Sequence, residues 1–181
     1  MSKAIMDREL TVMGNTSMAD HPMIRFTQAL DQLKEEHGEL RKKLQEFAAI
    51  DEIIREGKVN TDWYGTLRSL KVRVEQFMTL LEHHSEWEDT ALFPTVVVYA
   101  EENAKVIEVL EEDHRLALQY LQAFLLELRR SVSPIHQSRA NRIMALLMNA
   151  HKLLLDHLRA EENYIYPIAE EIIEDIDYLS C

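Results

Sequence analysis

A chain of 181 residues is the size of one ordinary domain, and at 46% apolar residues it can bury a core. Four Gly and four Pro are too few for a many-turned β architecture. Twenty Lys and Arg against 32 Asp and Glu leave a formal net charge of −12, which repels phosphate backbones and anionic lipid heads and argues against nucleic acid or a membrane surface as partner.

No apolar run approaches the roughly 18 residues of a membrane span, and the N-terminus has no apolar signal-peptide region, so a cytoplasmic location is expected. The one cysteine, Cys181, has no partner for an intramolecular disulfide and makes no Cys-based zinc site. Eight histidines remain, and they carry most of the functional information.

Residues 1–19 show little sustained periodicity and read as an N-terminal tail ahead of a single domain over 20–178. Pro22 suits the first turn of a helix, where its missing N–H costs nothing. From there Phe26, Leu30, Leu33, His37, Leu40, Leu44 and Phe47 step along at threes and fours, predicting an amphipathic helix to about Arg55. Gly57 is a C-terminal stop, and Asn60-Thr61-Asp62 offers N-cap chemistry for the next helix. That helix runs through Leu67, Leu70, Val74, Phe77, Leu81 and His84 to Leu92, where Pro94 is expected to break or kink it. Thr95 to Tyr99 has strand-like composition but no second strand to pair with, and reads as continued helix or connection.

A third helix fits Ala104 to about Arg130, carried by Ile107, Leu110, His114, Leu118, Leu121 and Leu125. Ser133-Pro134 reads as an N-cap and N1 proline opening a fourth helix through Ile143, Leu146, Leu147, Leu154 and Leu158. Pro167 is expected to interrupt it, and an acidic amphipathic tail from Ile168 to Tyr178 follows. Four helices with short connectors predict an all-α, antiparallel up-down four-helix bundle.

An internal repeat changes the reading. The segment HSEWEDTALFP, from His84 to Pro94, aligns without a gap on HLRAEENYIYP, from His157 to Pro167. His, Glu and Pro coincide, a second acid follows each Glu, and an aliphatic and an aromatic residue precede each Pro. A fainter match links LKEEH, ending at His37, with LEEDH, ending at His114. The chain therefore reads as two helical hairpins, each contributing the same polar set.

A His and a Glu at i and i+4 share one helix face. With acids this abundant, chance alone gives one or two such pairs, so the evidence lies in their matching positions within the repeat. His84 shares its stripe with Phe77, Leu80 and Leu81, and His157 shares its own with Ala150, Leu153 and Leu154. His114 lies among Leu110, Ala117, Leu118 and Leu121, and His37 among Leu30, Leu33, Leu40 and Leu44. Four histidines and two glutamates, Glu88 and Glu161, would thus point into one core, where an unpaired carboxylate costs several kcal/mol. A metal neutralises such a set. Two carboxylates can bridge two divalent cations with two imidazoles on each, a mixed ligation that suits non-haem iron, with manganese or zinc as substitutes. Taken singly, each of these residues also reads as an ordinary surface pair or a satisfied core histidine.

These motifs resemble the hemerythrin-like, HHE cation-binding family over about residues 22–170, with H-x-x-x-E ahead of an aromatic-Pro at the ends of the second and fourth helices. The resemblance implies a hemerythrin-like bundle with His37, His84, Glu88, His114, His157 and Glu161 as ligands of an oxo- or hydroxo-bridged di-iron centre, Glu88 and Glu161 bridging. It implies O2, NO or a peroxide as the small ligand, or iron handling, with any sensory signal passed to a separate protein partner. Oxygen-carrying members have a second histidine on the third helix, where this chain has Leu118, so reversible O2 carriage is not implied. The cysteine-containing module of the iron–sulfur repair members is also missing.

Two other classes stay open: a small di-iron oxidase, peroxidase or NO-detoxifying enzyme, and a metal-free helical interaction module using the acidic tail. A ferritin-like site fits poorly, because only Glu111-x-x-His114 has the required spacing. His83 reads as a rim residue, His151 as a core histidine, and His21 and His136 as solvated. Trp87, Tyr120 and Tyr164 are candidates to shield or hydrogen-bond a small ligand, although aromatic residues at helical spacing usually pack.

Overall fold

The structure, a computed structural model, describes residues 22–57 and 62–180. The expected tail, His21, the capping residues Asn60 and Thr61, and Cys181 lie outside these residues. Among the described residues the chain is helical with short connectors and no strand: α1 (Pro22–Glu56), α2 (Tyr64–Trp87), α3 (Phe93–Tyr99), α4 (Ala104–Arg129), α5 (Gln137–Ala160) and α6 (Tyr166–Ser180).

The buried positions explain the arrangement. On α1 they are Leu30, Leu33, His37, Leu40, Leu44, Phe47, Asp51 and Ile54, and on α4 Ile107, Leu110, His114, Ala117, Leu121, Phe124 and Leu128. Spacings alternating between three and four give a nearly straight stripe along each helix, which brings neighbours together at shallow angles. In the bundle α1 packs against α2 and α5, and α4 packs against α2 and α5, so sequence neighbours are also spatial neighbours. The up-down bundle expected from the sequence is therefore present. No helix of the described residues is long and apolar enough to cross a membrane.

Neither Pro94 nor Pro167 breaks its helix, and Thr95 to Tyr99 is continued helix. A π-helical turn, Glu88–Leu92, joins α2 to α3, and a second, Glu161–Ile165, joins α5 to α6, so each pair forms one long rod. A proline ring collides with the carbonyl four residues earlier in a regular α-helix. Widening the preceding turn relieves that collision, and the N–H of Phe93 and of Tyr166 reaches the carbonyl five residues back, on Glu88 and Glu161.

The start of the fourth helix also differs. Ser133-Pro134 does not open it; α5 begins at Gln137 after His136 in an extended conformation. The side chain of Asp62 takes the Ser133 hydroxyl at 2.9 Å and the Ile135 N–H at 3.0 Å, and Ile135 is buried. The segment is thus held against the start of α2 as a connector. Asp62 also accepts the Tyr64 N–H at 3.0 Å from one residue ahead of the N-cap position, which Trp63 occupies without a side-chain cap.

Gly57 ends α1 with φ 50°, as a C-terminal stop requires. The Gln137 carboxamide lies against it, donating to the Ile54 carbonyl and accepting from Trp63 Nε1 at 2.8 Å. A Cβ on residue 57 would stand 2.8 Å from Gln137 Oε1. Gly57→Ala should therefore cost about 1–3 kcal/mol, from left-handed strain plus displacement of this clamp. A urea unfolding curve with an unchanged midpoint would refute the assignment.

Candidate metal centre

The apolar interior falls into two clusters. The larger runs from Leu40, Phe47, Phe77 and Leu81 through Phe124, Leu147 and Leu158. The smaller contains Leu30, Leu33, Leu92, Phe93, Val96, Leu110, Ile165, Tyr166, Ala169 and Ile172. His37 stands between Leu33 and Leu40, His84 between Leu81 and Leu92, and His114 between Leu110 and Ala117, each with one cluster on either side. The six candidates form the polar layer at this seam, and all six are buried, Glu88 and Glu161 completely.

Each π-helical turn begins at one of the glutamates. The extra residue lets Glu88, Leu92 and Phe93 all face inward, as Glu161, Ile165 and Tyr166 do in the second half. The sequence carries the signal for this, an acid four residues before two consecutive inward residues and a proline, but a regular 3.6-residue period does not reveal it.

The structure brings all six together. Glu88 Oε1 lies 3.0 Å from His84 Nε2 and 3.8 Å from His37 Nε2, while its Oε2 lies 3.2 Å from His114 Nε2. Glu161 Oε2 is 3.2 Å from both His37 Nε2 and His157 Nε2. Two groups of donor atoms result, each spanning no more than 4.8 Å: His37, His84, Glu88 and Glu161, and Glu88, His114 and His157. Glu88 thus presents one oxygen to each group.

These atoms fit a cation better than they fit one another. The Nε2 atoms of all four histidines and both oxygens of Glu88 and Glu161 are sealed from solvent, yet none has a hydrogen-bond partner of acceptable geometry. Buried polar groups are otherwise paired almost without exception. Among the described residues no Lys or Arg forms an ion pair with either glutamate. Uncompensated, each buried carboxylate would cost several kcal/mol. The imidazole nitrogens and carboxylate oxygens converge closely enough to hold a metal ion, whose charge would supply the missing compensation.

A second ring of acids lies behind the histidines, and sequence reasoning missed its role. Glu36 is 3.1 Å from His84 Nδ1 and Glu162 is 3.3 Å from His37 Nδ1, whereas Asp113 is 4.0 Å from His157 Nδ1 and Asp89 is 3.9 Å from His114 Nδ1. The arrangement follows the repeat: the acid before each first histidine faces the second histidine of its own hairpin, and the acid after each glutamate faces the other hairpin. An acceptor on Nδ1 fixes the tautomer that presents Nε2 inward. The aspartates, one methylene shorter, stop short of hydrogen-bond distance. Arg41 anchors Glu162 at 2.8 Å.

Tyr166 is the other missed residue. Its ring centroid lies 5.1 Å from that of His37, it is 7% exposed, and its hydroxyl has no partner. Burial, then the charges of Glu161, Glu88 and Glu162, push its phenol far above the usual range. Tyr164, the sequence candidate, is 59% exposed and faces away. Trp87 packs against the smaller cluster and Tyr120 against the larger. His83 is exposed at the rim, His136 is exposed, and half-buried His151 takes no part in the donor groups.

Without metal, the carboxylates hold protons on the histidines. Burial disfavours the charged imidazole of His84, but Glu36 and Glu88 outweigh it and raise the group to about 10. At His114 burial is outweighed by Asp89 and Glu88, giving about 9. Burial acts to raise Glu88, yet His114, His37 and His84 hold it well below the ordinary carboxylate range. Raised histidines contribute stability that is complete below pH ~6.5 and lost as pH rises through their folded values; the lowered glutamate contributes above pH ~4.5 and loses it on acidification. The melting temperature of metal-free protein should therefore fall steadily between pH ~7 and ~10. A flat profile would contradict this charge arrangement.

No curated protein and no solved structure matches the chain. The family model described as the hemerythrin HHE cation-binding domain does match, over residues 28–169, a span that includes part or all of each helical rod and all six inward donors. By that match, and with a buried His/Glu set able to hold metal, the chain belongs to the hemerythrin HHE cation-binding domain family.

Proposed function

We propose that this protein holds a non-haem di-iron centre that binds or senses O2, NO or a peroxide, or handles iron itself. His37 and His84 would serve one iron, His114 and His157 the other, and Glu88 and Glu161 would bridge them. The observation that carries this reading is the set of sealed imidazole and carboxylate atoms lacking any partner. Iron, when bound, supplies a one-electron redox change and a place for a small exogenous ligand. The chain supplies the rest. Glu36 and Glu162 orient two of the imidazoles, and the apolar clusters above and below exclude water. Manganese or zinc would satisfy the same donors.

A cleft of about 260 Å³ lined by Gln32, Leu33, Glu36, His83, Glu86 and Trp87 reaches Glu36, but none of the six donors lines it. Leu118, one turn beyond His114, leaves the second half with two histidines, so nothing favours reversible O2 carriage over sensing. The metal-free alternative loses its free surface in part, because Ala169 and Ile172 of the acidic tail are buried with Leu30 and Leu33 of α1.

Elemental analysis of untagged protein tests the proposal, with near two irons per chain expected and ferric charge-transfer absorption developing in air. His84→Ala should lower the iron content and remove most of the melting-temperature gain on loading. Absence of bound transition metal after anaerobic iron loading would overturn the reading.

A further inference from the structure

The two halves of the repeat supply matching donors but differ at several inward positions, and at one of them, directly after the widened turn, Tyr166 stands in place of Phe93. Both side chains are buried in the smaller apolar cluster. A phenol there carries a cost that a phenyl ring avoids, because a buried hydroxyl without a partner loses its hydration and gains nothing. Phe93 shows that the fold accepts the plain ring. Packing therefore gives no reason for the oxygen of Tyr166.

The ring is held in place. It lies against His37 with 34° between the planes, and the Lys34 ammonium sits 5.7 Å from its centroid while pairing with Glu170 at 2.6 Å. Its hydroxyl is sealed from solvent and has no hydrogen-bond partner among the described residues, while the ring it belongs to lies beside one of the inward histidines. The same half carries the histidines whose Nδ1 atoms are within hydrogen-bond distance of glutamates, and the other half has only the shorter aspartates. Two independent features thus distinguish the His37–His84 half.

We propose that the Tyr166 hydroxyl is a hydrogen-bond donor to a small exogenous ligand with an acceptor atom, bound on the His37–His84 side, so that the two metal positions are inequivalent. This rests on the di-metal reading above. The hydroxyl gains its partner only when the ligand is present, which accounts for its isolation otherwise. Its role is positioning and selection: a ligand that accumulates negative charge gains most from the donor, and a neutral ligand without an acceptor gains nothing.

Azide is the probe, titrated into iron-loaded wild type, Tyr166→Phe and the double variant Tyr166→Phe/Phe93→Tyr, with iron content measured on each. Tyr166→Phe should keep the wild-type iron content and bind azide about tenfold more weakly, the loss of one hydrogen bond to a charged acceptor. Its metal-free form should melt ~2–6 °C higher than wild type, because the unpaired hydroxyl is gone. The double variant should not recover azide affinity, since its hydroxyl belongs to the other half. Equal affinity in Tyr166→Phe, recovery in the double variant, or a lower metal-free melting temperature would each overturn the assignment. So would a phenolate-to-iron absorption band present in wild type and absent from Tyr166→Phe, because the tyrosine would then be a ligand. Failure of every protein to take up iron would instead sink the di-metal reading, and this inference with it.

Discussion

Two carboxylates buried at the centre of a helical bundle are the constraint on which this structure depends. Glu88 and Glu161 are fully enclosed, and among the described residues the groups that form ion pairs with their oxygens are four imidazoles. A fold that places such a layer between two apolar clusters sacrifices stability unless something positive joins it. Protons can do so partly, through the raised histidines, and divalent cations can do so while also satisfying the unpaired atoms. The same layer explains the doubled motif, because a single hairpin provides only two histidines and one glutamate.

The π-helical turns follow from that layer. Placing an acid inward and then two consecutive apolar residues inward requires one residue more than a regular helix allows. The proline after each turn fits because the widened turn removes its steric conflict, so features that look like helix breaks instead keep each rod continuous. The fold then extends beyond the site as α3 and α6, whose buried residues cover the centre from one end.

The pseudo-symmetry is incomplete, and its defects are chemical. Glutamates back His37 and His84 while aspartates back His114 and His157, and a tyrosine replaces a phenylalanine beside the first pair. Matching donors thus stand in asymmetric surroundings, and the two donor groups are not equivalent.

Much of this was legible in one dimension. Helix extent, the up-down order and the inward direction of the six donors follow from spacing, since a stripe at threes and fours has only one face to bury. Less legible were the features that depend on a second element. Ser133-Pro134 has the composition of a helix start, but Asp62 holds it as a connector from 71 residues away. Tyr164 and Tyr166 are two residues apart and equally aromatic, and only the widened turn decides that one faces solvent and the other His37. The acids at 36, 89, 113 and 162 read as ordinary surface charges until the neighbouring helix supplies a histidine. The sequence by itself determined which residues enter the core, because hydrophobic periodicity is a local property. Only the tertiary structure decided which of them meet and which stay unpaired, because those distances are set by how separate helices pack.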